Sequence, residues 1–353
     1  MAADTSRLVG RDVIVQALTN RAELNGMCGS VASFDADKAR YVVRVPGVPN
    51  ALLLKPENVV RAPDAAEAIA ASCAADHAEE VRERVEAIRT GVKQTSDDLP
   101  QPPGVLDLEH TGLVALPAAV GTLGLTRELW LGNNKLTALP NAVGCLLMLR
   151  VLDIDGNALT ELPESIGRLC ALEALYANHN LFARLPAALG RLRSLRELRL
   201  SDNRLSAADS LPAELGTGLQ GCLRTLWLAR NGLVSVPEPV CALMALEDLD
   251  LSGNAALSAL PPSLAALRRL RTLELAGNAA LICPPPEVAS QGAEVIQAWL
   301  RAVPPTGRIS EEDAEAVGAG VVYAREPAGS VHTPIARQEA VEGGGEFIFP
   351  GGA

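Results

Sequence analysis

What most limits the folds open to this chain is a phrase written eight times between about Val105 and Cys283. Its core reads L-x-x-L-x-L-x-x-N-x-L-x-x-L-P and is clearest in Leu149–Pro163, LRVLDIDGNALTELP. The Asn position falls at Thr111, Asn134, Asn157, Asn180, Asn203, Asn231, Asn254 and Asn278, in steps of 23, 23, 23, 23, 28, 23 and 24 residues. A fixed period in this range marks a solenoid. One unit cannot bury its apolar face alone, and stacked units share a continuous core.

Within each unit the x-L-x-L-x segment alternates at period two, which predicts a short strand with its leucines on one face. Leu129 and Leu131, Leu152 and Ile154, Leu198 and Leu200, and Leu226 and Leu228 are expected to point inward. The Asn leaves each strand at a bend, where an amide that donates and accepts can satisfy loop backbone groups. Thr111 offers a weaker hydroxyl in the first unit. The L-P pairs, Leu116–Pro117 through Leu260–Pro261, turn the chain, because Pro fixes its own φ and disfavours helix in the residue before it. The return through V/I-G-x-L, as at Val120–Leu123 and Ile166–Leu169, leaves room for one or two helical turns. The 28-residue step gains three residues in Ser206–Ser210 and two around Gly216–Gly221. Such an insertion goes to a loop, which either borders a binding site or is neutral.

The L-x-x-L-x-L-x-x-N phrase resembles that of leucine-rich repeat proteins. The L-P-x-x-I-G-x-L wording resembles the subgroup of intracellular Ras-pathway scaffolds and plant intracellular Ras-group proteins. The likeness covers residues 105–303 and includes a closing P-P-x-V-x-x-x-G-x-x-x-I-x-x-W-L at Pro285–Leu300. It implies an α/β solenoid with short parallel strands on the concave face and short helical turns on the convex face. It also implies a partner such as a small GTPase, a kinase or a phosphatase subunit. Asn254 and Asn278 depart from the pattern, since each is followed by Ala-Ala and the next Leu is displaced by one residue.

Residues 1–62 read as a small β-barrel, with strands at Val13–Val15, Gly29–Phe34, Arg40–Val45 and Ala51–Lys55 and a hairpin SVASF-DADKA-RYVVRV. ELNG-x-x-G-x-V-x-x-FD…RYVVRV…LLLKPENV resembles small Src-homology-3-like barrels. A methyl-lysine reader needs an aromatic cage, and only Phe34 and Tyr41 are available. Residues 63–95 predict one helix, Asp64–Val92, with Asp64 as N-cap and Glu67 as its capping-box partner. Its stripe Val81, Val85, Ile88, Val92 is expected to pack on the barrel or the first repeat, the alternative being a coiled-coil or partner helix. Residues 96–104 read as a linker, and 105–283 as the eight repeats. Residues 284–303 read as a capping helix, Glu287–Arg301, that buries Val288, Val295, Ile296, Trp299 and Leu300 over the open end. Residues 304–353 read as largely disordered. Within them Phe347-Ile348-Phe349 is either a docking motif or an edge strand.

A net charge of −11 argues against nucleic acid or anionic lipid as partner. The seven cysteines are scattered without a C-x-x-C and read as reduced core thiols. With no apolar leader and no uninterrupted run of 18 apolar residues, the expectation is an intracellular, cytoplasmic protein with no membrane span. No G-x-x-x-x-G-K-[ST], H-E-x-x-H or G-x-S-x-G occurs. His110 and His179 stand three repeats apart, too far to share a metal, and read as solvated loop residues. No catalytic residue, metal or cofactor is expected, and the chain is read as a non-enzyme.

What remains is the outward column of the strands: Asp107, Trp130, Asp153, Tyr176, Arg199, Trp227, Asp250 and Glu274. Flanking columns add Glu109, Glu128, Asp155, Glu197 and Asp248. The chain has three Trp and three Tyr, and three of those six fall in this one column, as interface hot spots would. The expectation is that Trp130, Tyr176 and Trp227, with Arg199, anchor a protein partner whose basic and apolar surface meets Asp153, Asp155, Asp248 and Asp250. The other reading is that the aromatics only cover neighbouring strands. The function expected is a non-catalytic scaffold or adaptor in intracellular signalling. The alternative is a substrate-specificity or regulatory subunit of a ubiquitin ligase or phosphatase complex, docked through the barrel or the tail.

Overall fold

The computed structural model describes residues 8–90 and 104–302, together with the short strands 308–309 and 347–348. The chain begins with five antiparallel strands: β1 (Asp12–Val15), β2 (Cys28–Asp35), β3 (Arg40–Arg44), β4 (Leu52–Leu54) and β5 (Val59–Arg61). They run in the order β4-β3-β2-β1-β5 and form a small barrel-like domain. The β2–β3 hairpin pairs Phe34 with Tyr41 and Asp35 with Arg40, and Asp35 closes its turn by accepting from the Lys38 amide at 3.1 Å. Strand β5, unanticipated from sequence, completes the sheet beside β1. Phe34 and Tyr41 pack edge to face at 5.0 Å, with Tyr41 buried, so this pair is packing and not an open cage.

Two helices follow where one was expected: α1 (Ala65–Ala70) and α2 (Ala78–Thr90). The break has a physical cause. Ala74 donates its amide to Thr111 O at 2.9 Å, and Ser72 O accepts from Val114 N at 3.1 Å, so the non-helical residues plug onto the first repeat. Asp64 caps α1 through the amides of Ala66 and Glu67. Glu67 does not complete a capping box, because its carboxylate accepts from Arg82 Nε at 3.1 Å instead. Val81, Val85 and Ile88 are buried, and Arg84 donates to Asp107 O at 2.6 Å, so α2 closes the N-terminal edge of the solenoid. Val92 and residues 96–103 of the linker lie outside the described residues.

Eight parallel strands then stack in chain order: β6 (Val105–Asp107), β7 (Glu128–Trp130), β8 (Val151–Asp153), β9 (Ala174–Tyr176), β10 (Glu197–Arg199), β11 (Thr225–Trp227), β12 (Asp248–Asp250) and β13 (Thr272–Glu274). The register never slips. Leu106, Leu129, Leu152, Leu175, Leu198, Leu226, Leu249 and Leu273 lie side by side and are all buried. Each contributes roughly 1.5–3 kcal/mol of burial.

On the convex side the return segments are single 3-10 turns, such as Ala118–Thr122, Asn141–Cys145 and Glu164–Arg168, each preceded by an extended Pro. The recurrent Gly in these turns is a requirement of stacking. A Cβ on Gly190 would stand 2.2 Å from Glu214 O, and one on Gly144 2.5 Å from Ser165 O. The long repeat uses its extra length in two ways. Its turn becomes a full helix, α3 (Ala213–Leu219), and its loop tucks buried Ser210 inward to accept from Leu185 N. The next repeat carries α4 (Glu238–Cys241). The C-terminal cap is also two helices, α5 (Pro286–Ala289) and α6 (Ala293–Ala302), separated at Gly292, whose φ of +88° no helix accepts. Val288, Ile296, Trp299 and Leu300 are buried there. Past it, β14 (Arg308–Ile309) pairs antiparallel with β15 (Phe347–Ile348), and the remainder of the 304–353 segment lies outside the described residues.

The barrel sits on the convex side of the first three repeats. Cys28 Sγ donates to Ala118 O at 2.9 Å, Asn141 Nδ2 to Asn25 O at 2.7 Å, and Arg168 to Pro46 O. Barrel and solenoid share one apolar core. Cys28, Cys145, Cys241 and Cys283 are buried free thiols, and burial pushes Cys28 and Cys283 up to about 12. Cys170 is exposed, which corrects its reading as a core thiol.

Candidate interaction surface

Two polar columns run along the eight strands, four residues apart in every repeat. The inner one is the Asn column, and its amides do one job. Asn180 Nδ2 donates to Ile154 O in the preceding repeat at 2.8 Å, and its Oδ1 accepts from Leu159 N at 3.0 Å. Asn134, Asn157, Asn203 and Asn231 repeat the pattern. Asn254 goes further and accepts from both Asn231 N and Leu233 N. Asn278, last in the row, accepts from Asn254 N and donates to Leu275 O. Thr111 donates to Leu108 O at the edge. The residue before each column member has a positive φ: His110, Asn133, Gly156, His179, Asp202, Arg230, Gly253 and Gly277. His110 and His179 are exposed on that rim.

The outer column is one unbroken row. Asp107, Trp130, Asp153, Tyr176, Arg199, Trp227, Asp250 and Glu274 are successive register partners. Its large side chains pack on one another. Trp130 reaches over the short Asp153 to Tyr176, with ring centroids 6.4 Å apart and tilted by 47°. The Arg199 guanidinium lies over Tyr176 at 4.6 Å and over Trp227 at 4.1 Å, the geometry of a cation–π sandwich. All four remain half-exposed.

The acids beside this row divide into engaged and unengaged groups. Glu128 accepts from Trp130 Nε1 at 3.2 Å. Glu197 holds Arg199 Nε at 2.7 Å and the Tyr176 hydroxyl at 3.2 Å. Both lie two residues before the side chain they orient, on the same strand face. That i, i+2 spacing was legible in the sequence, yet neither residue belongs to the expected partner set. Asp155, expected to meet the partner, is half-buried and both its oxygens are taken by the next repeat, accepting from the backbone and side-chain amides of Asn178 at 2.6 and 2.9 Å.

Asp153 is a correction. It is 8 % exposed, so it is no partner-facing group. Its Oδ1 accepts from Asp155 N at 2.8 Å, and burial lifts its carboxyl to about 6, with Asp155 and Glu109 adding repulsion. Glu109 is raised too, first by burial and then by Asp107.

Asp248, Asp250 and Glu274 differ. With Glu197, Thr225, Trp227, Leu249 and Thr272 they line a depression of about 320 Å³ over β11–β13. A second concavity, about 590 Å³, lies on the barrel between Ala17–Arg21 and the β4 edge, Leu52–Lys55. Among the described residues no group of three or more His, Cys, Asp or Glu is placed to hold a metal ion, and no helix is long and apolar enough to cross a membrane.

Residues 105–220 match a family model described as a leucine-rich repeat region. No curated protein matches the chain. Among solved structures, a leucine-rich repeat protein of Leptospira interrogans is 29% identical with a TM-score of 0.44, over 57% of this chain. This chain thus spans only 56% of that protein. The leucine-rich repeat domain of the type III effector XopL is 20% identical with a TM-score of 0.46, over 62% of this chain and 80% of that one. Internalin C2 of Listeria monocytogenes is 19% identical with a TM-score of 0.44, over 60% of this chain and 87% of that one.

Proposed function

We propose that this chain, whose residues 105–220 match a leucine-rich repeat region and whose convex face is partly covered by its own barrel, is a non-catalytic protein-binding scaffold or adaptor in intracellular signalling. The partner docks on the concave face. One observation carries this reading: Trp130, Tyr176, Arg199 and Trp227 form a continuous, half-exposed ladder on a sheet face that no part of the described chain covers. Rigid aromatic and Arg side chains are the groups that dominate interface energetics. Their mutual packing fixes their rotamers beforehand, which lowers the entropy lost on docking.

The test is proximity labelling in native cells, repeated with Trp130→Ala/Trp227→Ala. Partners captured by the wild type should be lost, and any recovered partner should bind the double variant at least tenfold more weakly. Unchanged affinity for every recovered partner ends the concave reading.

The barrel depression favours a second reading, in which this chain delivers a substrate to an enzyme such as a ubiquitin ligase or phosphatase. Strand β4 is a sheet edge, and its Leu53 is 43% exposed beside that depression. Unpaired edges accept an added strand. Deleting the barrel is a poor test, since Cys28 packs on the convex turns at Ala118, Gly121 and Cys145 and barrel and solenoid share one core. Leu53→Glu in the full chain discriminates. Loss of an associated enzyme activity with retained concave partners selects the regulatory-subunit reading.

A further inference from the structure

The two ends of the aromatic ladder differ in what their acids face. At the N-terminal end Glu128, Asp153, Asp155 and Glu197 are all engaged by groups of the chain itself. At the C-terminal end the nearby cations are committed elsewhere. Arg224 and Arg271 both pair with Glu247, Arg230 pairs with Asp202, and Arg199 pairs with Glu197. Asp248, Asp250 and Glu274 form no ion pair among the described residues, yet they converge on one depression of about 320 Å³ with the Trp227 indole as its wall. Asp250 Oδ1 accepts from Ser252 N and Asp248 Oδ2 from Thr225 Oγ1, which orients both carboxylates and leaves an oxygen of each without a bond.

The molecule already displays the chemistry this place fits. Arg199 lies on the Trp227 ring at 4.1 Å while its Nε donates to Glu197 in the flanking column. Toward β12 and β13 the same indole meets Asp250, with Asp248 in that same flanking column. The carboxylates there are present and the guanidinium is not.

We propose that the Trp227 depression receives one arginine side chain from an extended basic segment of the partner. Its guanidinium stacks on the indole and donates to Asp250, Asp248 and Glu274. Arginine suits the place better than lysine because its planar fork stacks on a ring and bonds carboxylates bidentately. This subsite rests on the concave-face reading and narrows it. The partner's cation goes to the C-terminal third of the sheet, and Asp153 and Asp155 take no part.

The test uses the full chain and a dye-labelled (Gly-Arg)4 peptide, with its lysine and citrulline counterparts, read by fluorescence anisotropy. The arginine peptide should bind most tightly, and citrulline should lose at least tenfold. Asp250→Asn/Glu274→Gln should weaken the arginine peptide at least tenfold. The charge-matched Glu161→Gln/Glu164→Gln, outside the concave face, should change it less than twofold. Circular dichroism checks that all variants fold.

The proposal is overturned if the citrulline peptide binds equally or if the charge-matched control loses as much. It is also overturned if the wild type shows no saturable binding up to roughly millimolar peptide. If Trp130→Ala abolishes binding while Asp250→Asn/Glu274→Gln leaves it, the concave face stands and this subsite falls. If neither matters, both fall.

Discussion

The Asn column and the aromatic column belong to the same eight repeats, run in the same register and sit four residues apart, yet they are chemically opposite. From Asn134 onward every Asn-column member is an asparagine donating to strand-end carbonyls, and all but Asn157 are buried. In the outer column six successive neighbour pairs, from Asp107–Trp130 to Trp227–Asp250, join an aromatic ring to an acid or a cation, and no single residue type fills it. Uniformity is what a repeating backbone problem demands, because every turn leaves the same amides and carbonyls to satisfy. Variety at a repeating position has no such cause within the fold. The difference separates what builds the solenoid from what the solenoid presents.

The comparison is tested hardest at Asn254. This residue is fully buried, accepts from Asn231 N and Leu233 N and donates to Leu228 O and Leu251 O. Asn254→Ala leaves four backbone groups without a partner, each costing about 1 kcal/mol or more. A loss of about 4 kcal/mol is expected, read as a shift in urea midpoint. A cost under about 1 kcal/mol would mean that water replaces the amide, and the inner column would lose its special standing.

Asp153 is the outer-column residue that behaves like the inner column, so it sharpens the division. Its folded carboxyl titrates near 6, chiefly through burial, above an ordinary aspartate value of about 3.9. An acid raised on folding takes up a proton between those two values. It therefore costs nothing below about pH 4 and exacts its full penalty above about pH 6. Asp153→Asn keeps the acceptor for Asp155 N and removes the charge. The variant should be more stable than wild type at pH 7–8 by up to about 3 kcal/mol. The gain should shrink through pH 6 and vanish near pH 4 in thermal melts. A gain independent of pH would show that the charge is not the cause.

These two residues also mark how far the sequence could be read. The period of 23 placed every strand, every Asn and the outer row, because each depends on register alone. Burial within the outer row was not legible. Asp153 is covered because Trp130 and Tyr176, one strand to either side, close over it, and a column of letters does not say which way large rings lean. The helix breaks were hidden for a related reason. Ala-rich 65–90 has uninterrupted helical propensity, and the contacts that break it at Ser72 and Ala74 come from the first repeat. Capping by Glu67 failed because Arg82, 15 residues on, competes for the same carboxylate. The glycines of the convex turns were visible as a pattern, but their cause, backbone of the next turn within 2.2–2.8 Å of a Cβ, exists only in the stack.

Within the aromatic ladder the effect on stability should be smaller. Arg199→Met keeps the apolar stem over Tyr176 and Trp227 and removes the guanidinium that both rings and Glu197 share. About 1 kcal/mol of destabilisation is expected, the range of a part-exposed cation–π pair. If the cost instead approaches that of Asn254→Ala, the ladder is a structural spine and its claim to be a docking surface weakens.

The smallest change in stability is expected at Glu274, and it separates the two columns most cleanly. Glu274 is exposed, on the last strand, and its carboxylate makes no hydrogen bond or ion pair among the described residues, although its backbone carbonyl accepts from Leu251 N. Nothing in the fold depends on its charge, so Glu274→Gln should alter the urea midpoint by no more than about 0.5 kcal/mol. A fold-neutral carboxylate beside an indole wall has a role only toward something outside the chain. The same substitution should therefore weaken ligand binding and make what remains less sensitive to salt, since one fewer charge pair is screened. Measured together, an unchanged midpoint with weakened binding places Glu274 on the presenting side of the division. A lowered midpoint would place it with the asparagines, as one more residue that holds the stack together.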